Sequence, residues 1–207
     1  MSEEIKKAED VKVTVIQGEK AIDKIITEHV GFSMIAGAIP IPLLDIVAVS
    51  AIQLDMIRQI AKKYEIDFDD EIGKTLVSSI ISTTIGTSIG RAGASVVKVI
   101  PGIGTILGIG SQVVLSGITT FAVGHIFNNH FSNHQSLKDF NLDGVKEAFE
   151  DLLKKGKDFV DDLQKKQEKS KNEVKKETAV IIRKMAENGI IKQKDSEKII
   201  KELEKEE

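Results

Sequence analysis

Apolar residues recur at helical spacing along most of the chain, and this spacing predicts an all-α protein. Ile22, Ile25, Ile26 and Val30 fall on one face of a helix beginning near Gly18. Before it, the alternation Val11-Lys12-Val13-Thr14-Val15 fits either a brief strand or the start of that helix. The helix is expected to run through the apolar stretch 31–39 and to end at Pro40 and Pro42. Each proline lacks an amide donor and disfavours helix in the residue before it. Residues 43–63 predict a second helix, with Ile46, Val49, Leu54 and Ile60 on its apolar face. Asp67 is placed to N-cap a third helix over about 72–99, with Asp70 and Glu71 at its positive end. Pro101, Gly102 and Gly104 form a breaker cluster and predict a tight turn. A fourth helix is expected over about 105–127, and the asparagine-rich 128–141 is expected to be a loop.

Beyond residue 135 the stripes narrow. Val145, Phe149, Leu152 and Leu153 form one, loosely continued by Phe159, Val160 and Leu163. Val174, Ile181, Ile182 and Met185 form another, after which Gly189 fits the C′ position of a Schellman cap. Asp195 is placed to cap a last helix bearing Ile199, Ile200 and Leu203, which closes a helical hairpin. Three parts are therefore expected: a polar segment 1–19, an apolar helical module 20–134 and a charged amphipathic tail 135–207.

Composition sharpens the middle part. Overall, 41% of residues are hydrophobic and 29% charged, but the charge is uneven. Between Thr75 and Asn129 the only formal charges are Arg91, Lys98 and whatever His125 carries. Two structures fit: a glycine-rich core that buries its own apolar faces, or a transmembrane hairpin of spans 75–98 and 104–127. In the second, residues 31–44 would form a re-entrant or interfacial wedge, with both termini on the cytoplasmic side. Gly86, Gly90 and Ala94 are four apart, as are Ser116, Thr120 and Gly124, and such faces let helix backbones approach closely. The chain has no tryptophan and one tyrosine, so no aromatic belt marks a bilayer interface.

Candidate chemistry is sparse. Gly73-Lys74-Thr75 resembles the end of a phosphate-binding loop, but Phe68 stands where that loop needs glycine. The acidic run Asp67, Asp69, Asp70 and Glu71 lacks the glycine and twelfth-position carboxylate of a calcium loop. His130 and His134 are four apart with His125 nearby, yet no HExxH pattern accompanies them. Gly102, Gly104 and Gly108 do not have dinucleotide-loop spacing. No catalytic residue, cofactor or metal is expected. With a net charge of -3 and no basic block interleaved with aromatics, nucleic acid is not an expected partner. Without cysteine, disulfides and thiolate metal sites are excluded. The first twenty residues lack a basic, then apolar, leader pattern, which points to the cytoplasmic side.

His29, Asp45 and Arg91 are the candidates for buried polar groups. Asp45 is the only formally charged residue between Glu28 and Asp55, and it sits among aliphatics. It is expected to cap the helix after the prolines, moving its start from Leu43 to about Ile46. An ion pair with Arg91 or His29 is the second expectation, because a buried carboxylate is costly unless paired.

His29, Pro40-Ile41-Pro42, Asp45, Gln53, Met56, Ile60 and Tyr64 resemble the opening signature of a bacterial family catalogued as domain of unknown function 697. The resemblance continues in Pro101-Gly102-Ile103-Gly104, Thr120-Phe121-Ala122-Val123-Gly124 and His130-Phe131, and covers about 20–134. It implies a helical, membrane-associated module without an established activity of its own, often fused to or encoded beside Ras-like or Era-like small GTPases. This chain has no phosphate-binding loop, so a GTPase would be a separate partner. The expectation is a non-enzymatic membrane adaptor or scaffold at the cytoplasmic membrane. Its expected partners are membrane lipid and a protein, with self-association also open. The alternative is a soluble, cytoplasmic helical module that binds a lipid or other apolar ligand.

Overall fold

The computed structural model is all-helical and describes residues 2–41, 43–92, 111–142, 144–167 and 171–204. Side chains are described from residue 18, except at 81, 83–92, 111, 146, 165–167 and 171. In chain order the helices are α1 (Ser2–Gly37), α2 (Leu44–Lys63), α3 (Asp70–Ala92) and α4 (Ser111–Ser132), then α5 (Val145–Gln167), α6 (Lys171–Glu187) and α7 (Gln193–Glu204). A short 3-10 turn, Leu137–Asp139, joins α4 to α5.

Several ends differ from expectation for local reasons. The 11–15 alternation is helical, as part of an α1 that starts at Ser2 rather than near Gly18. The cap of α3 is Asp69, not Asp67: its Oδ1 accepts from the Ile72 amide at 3.0 Å. Arg58 fixes this start by donating to Asp70 Oδ1 at 2.6 Å while lying over the Phe68 ring. The fourth helix continues past Phe127 to Ser132, because Phe127, His130 and Phe131 all face inward. At the C-terminus, Asp195 lies in the first turn of α7 rather than at its cap, since that helix begins at Gln193. Gly189, with φ 73°, ends α6. The Ile190 amide bonds Met185 O at 2.9 Å and the Gly189 amide bonds Ala186 O at 3.0 Å, which is a Schellman cap.

The apolar side chains form two clusters. The larger joins α1, α2, α3 and α4 with the 3-10 turn and α5, around Ile26, Ile57, Ile118, Phe127, Phe131 and Phe149. At its centre lies α4, which buries side chains around most of its circumference. A helix apolar all round belongs in lipid or in a protein interior; from residue 111 on, this one is covered by protein. The smaller cluster seats α6 and α7 on the C-terminal half of α1 and the N-terminal half of α2. There Ile182, Met185 and Ile199 meet Phe32, Ala48 and Ile52.

The tail boundary expected at 134/135 is not a break in packing. Phe149, Leu153 and Val160 of α5 belong to the larger cluster. The two helices cross closely at Gly156, where a Cβ would stand 3.0 Å from Phe121 and 3.3 Å from Ile118 O. A narrow stripe flanked by charge is enough to join a core when a neighbour supplies small residues at the crossing.

The small residues of α4 face α1. Ser116 lies against Gly37, Thr120 Oγ1 donates to Ser33 Oγ at 2.8 Å, and a Cβ on Gly124 would meet Ile26 and Met56 at 3.0 Å. Gly124→Leu should therefore destabilise the protein by about 1–3 kcal/mol or more through overpacking. Chemical denaturation checks this, and an unchanged midpoint would remove the close approach from the account. The surroundings of Gly86, Gly90 and Arg91 lie outside the described side chains, and Ala94, Pro101, Gly102, Gly104 and Pro42 outside the described residues.

Candidate functional site

Polar side chains form a seam where α1, α2 and α4 meet. His29 is 1% exposed and Asp55 1% exposed, so both are closed to bulk solvent. His29 Nδ1 lies 2.7 Å from Ile25 O, which can only accept, so this nitrogen donates. The other ring nitrogen, Nε2, lies 3.3 Å from Asp55 Oδ2 and 3.4 Å from Gln59 Nε2. An imidazolium satisfies both the carbonyl and the carboxylate; a neutral ring satisfies the carbonyl and accepts from Gln59 instead. Gln59 also donates to Asp55 Oδ2 at 2.7 Å, while Arg58 and Lys184 each approach Asp55 Oδ1 at 3.7 Å. Burial alone would raise the Asp55 carboxyl. Hydrogen bonds from His29 and Gln59, with the charges of His29 and Lys184, outweigh it and hold the group below the ordinary aspartate range. Lys184 belongs to α6, so this carboxylate also ties the C-terminal hairpin to α2.

A second set lies deeper. Gln53 Nε2 donates to Thr120 Oγ1 at 3.0 Å, and Thr120 donates to Ser33 Oγ. Gln53 Oε1, buried, has no hydrogen-bond partner among the described residues. Gln53 also fixes the register of α2 on α4, since sliding either helix would leave its amide unpaired.

Asp45 is buried, as its aliphatic neighbourhood implied, but it neither caps α2 nor meets His29. The N-cap is Leu43, at φ 76°, and α2 begins at Leu44 rather than Ile46. Burial of Leu44 in the smaller cluster favours this earlier start and puts Asp45 in the first turn, where a carboxylate suits the helix dipole. Its Oδ2 accepts from Gln112 Nε2 at the start of α4. His29 pairs with Asp55, a residue the sequence did not single out. One signal was available: Asp55 sits between Leu54 and the pair Met56-Ile57, with Ile52 and Ile60 also nearby. A charge enclosed in such a run on a helix is placed toward the interior.

The α1–α2 turn is aliphatic and partly bare. Leu43 is 71% exposed and Ile46 57% exposed, with Pro40 and Ala38 also on the surface. The wedge expected at 31–44 is thus mostly interior, since Phe32, Ser33, Met34, Ala36 and Ile39 are buried. Only its end reaches solvent.

At the other end of α2, about 30 Å away, an open cleft of about 750 Å³ is lined by residues including Tyr64, His125, Asn128 and Asn129. Tyr64 donates to Asn128 Oδ1 at 2.7 Å. Burial lowers the pKa of His125. His130 Nε2 is engaged with Ser136 O at 2.8 Å, whereas His134 is exposed with φ 56°, so the two do not converge. Among the described residues no group of three His, Cys, Asp or Glu side chains is arranged to hold a metal. Among the same residues, no helix is long and apolar enough to cross a membrane.

The sequence matches magnetosome membrane protein 22 of Magnetospirillum gryphiswaldense with 33% identity over 136 residues, 65% of this chain and 70% of that protein. No solved structure matches it. The family profile described as Domain of unknown function (DUF697) matches residues 5–158. That stretch starts before the expected 20–134 and ends inside α5, so it takes in Phe149 and Leu153 of the larger cluster. The chain is a member of the DUF697 family.

Proposed function

We propose that this protein is a non-enzymatic adaptor that docks on the cytoplasmic face of a membrane. The observation that carries the reading is the likeness, over 70% of its length, to a protein named for the magnetosome membrane. Peripheral docking is preferred to a spanning hairpin, because α4 spends its apolar faces on α1, α2 and α5. The charged outer faces of α5, α6 and α7 remain free to engage a protein partner, for which a separate small GTPase is the proposed class. The polar seam serves to hold the helices in one register.

Fractionation tests the reading. The native chain should sediment with membranes, remain through a high-salt wash and be released by alkaline carbonate. Retention after carbonate would favour the spanning hairpin. Recovery in the soluble fraction from the start would favour the other reading, a helical module that carries an apolar ligand.

A further inference from the structure

We infer that the α1–α2 turn is the surface that enters the lipid, with Leu43 and Ile46 as the inserting side chains. The inference rests on the membrane reading above and specifies where and how contact is made. Among the described residues three large hydrophobic side chains are well exposed: Leu43, Ile46 and Val180. Val180 stands on α6 among Lys176, Glu177, Arg183 and Lys184, so it is an isolated apolar residue on a charged surface. Leu43 and Ile46 stand together, three residues apart at the start of α2. Leu43 also holds a left-handed backbone, at φ 76°, a conformation that leucine rarely adopts.

Charge and size select the occupant. Asp45 is the only formal charge between Glu28 and Asp55, and it is turned inward onto Gln112. Residues 30–54 therefore present no outward-facing charge of their own to a protein or to an anionic headgroup. The turn's two exposed side chains present on the order of 250 Å², far below the roughly 800 Å² per partner of a stable protein interface, a second copy included. Hydrocarbon needs neither charge complementarity nor a large matched surface. The Asp45–Gln112 bond also places the start of α4 at this same end. The contact should thus depend on apolar insertion, with little response to salt or to lipid charge.

The chain contains no tryptophan, so a single introduced one reports its own surroundings. Full-length Leu43→Trp, Ile46→Trp and Val180→Trp are each mixed with phosphatidylcholine vesicles, with and without phosphatidylserine. Emission at positions 43 and 46 should shift to the blue and be quenched by brominated acyl chains. Position 180 should not respond. Leu43→Ser with Ile46→Ser should reduce vesicle partitioning by about tenfold or more. Circular dichroism establishes that each variant is folded, and position 46 stands in should Leu43→Trp fail. If the protein binds vesicles while positions 43 and 46 stay unquenched, the turn is not the contact and the membrane reading survives without it. If the native chain binds no vesicle of either composition, both fall. A blue shift at 43 that grows with protein concentration in the absence of lipid would assign the turn to self-association and overturn the inference.

Discussion

Asp55→Ala is expected to destabilise the protein by about 3–5 kcal/mol, the range for removing one partner of a buried ion pair. The change leaves His29 without its carboxylate in a site that excludes water, and strips Arg58 and Lys184 of a shared anion. Lys184 and Arg58 can rehydrate in part; His29, 2% exposed at its side chain, cannot. The acid limb gives a second readout. The Asp55 carboxyl is held below the ordinary aspartate range, so its folded form binds fewer protons than its unfolded form. Its contribution is complete above about pH 4, the value for an unfolded aspartate. It is lost as pH falls through the lowered folded value. Urea unfolding of native and Asp55→Asn proteins should therefore converge toward low pH. A gap between them that is independent of pH would mean that the carboxylate charge is not what matters.

Cutting the chain after Gln135 is expected to abolish cooperative folding. The fragment would lose Phe149, Leu153 and Val160 from the larger cluster and expose the faces of Ile118 and Phe121 against which Gly156 packs. Each large core side chain is worth about 2–5 kcal/mol, and a whole domain is stable by only about 5–15 kcal/mol. Such a fragment should keep helical circular dichroism but unfold without a sigmoidal transition. Ending the chain at 167 instead should preserve a transition, because the smaller cluster shares no member with α3, α4 or α5. A sharp transition in 1–135 would restore the separable tail that the sequence suggested.

Legibility followed periodicity. The helical character of α2 could be read from residues such as Leu54 and Ile60, because burial of one face imposes the spacing, whereas α4, apolar nearly all round, was marked out by the Pro-Gly cluster before it and the asparagines after it. The Gly189 cap was legible because a left-handed residue after a helix leaves a local chemical trace. Ends and partners were less so. Asp67 and Asp69 are equally good caps in isolation, and the Arg58 contact with Asp70 selects Asp69. The end of α4 was hidden by asparagines and histidines, whose polarity masks the inward Phe131 and His130. Asp45 was recognised as buried, but its partner Gln112 lies 67 residues away, a pairing set by tertiary structure. Asp55 passed unnoticed because an aspartate two turns before a lysine-rich helix end looks like surface.

Vesicle flotation of the intact chain tests the central claim most directly. Protein and phosphatidylcholine vesicles are placed beneath a sucrose gradient and centrifuged at low and at high salt. The account predicts that the protein rises with the lipid at both, since apolar insertion is not screened by ions. A protein that stays at the bottom of both gradients would contradict it.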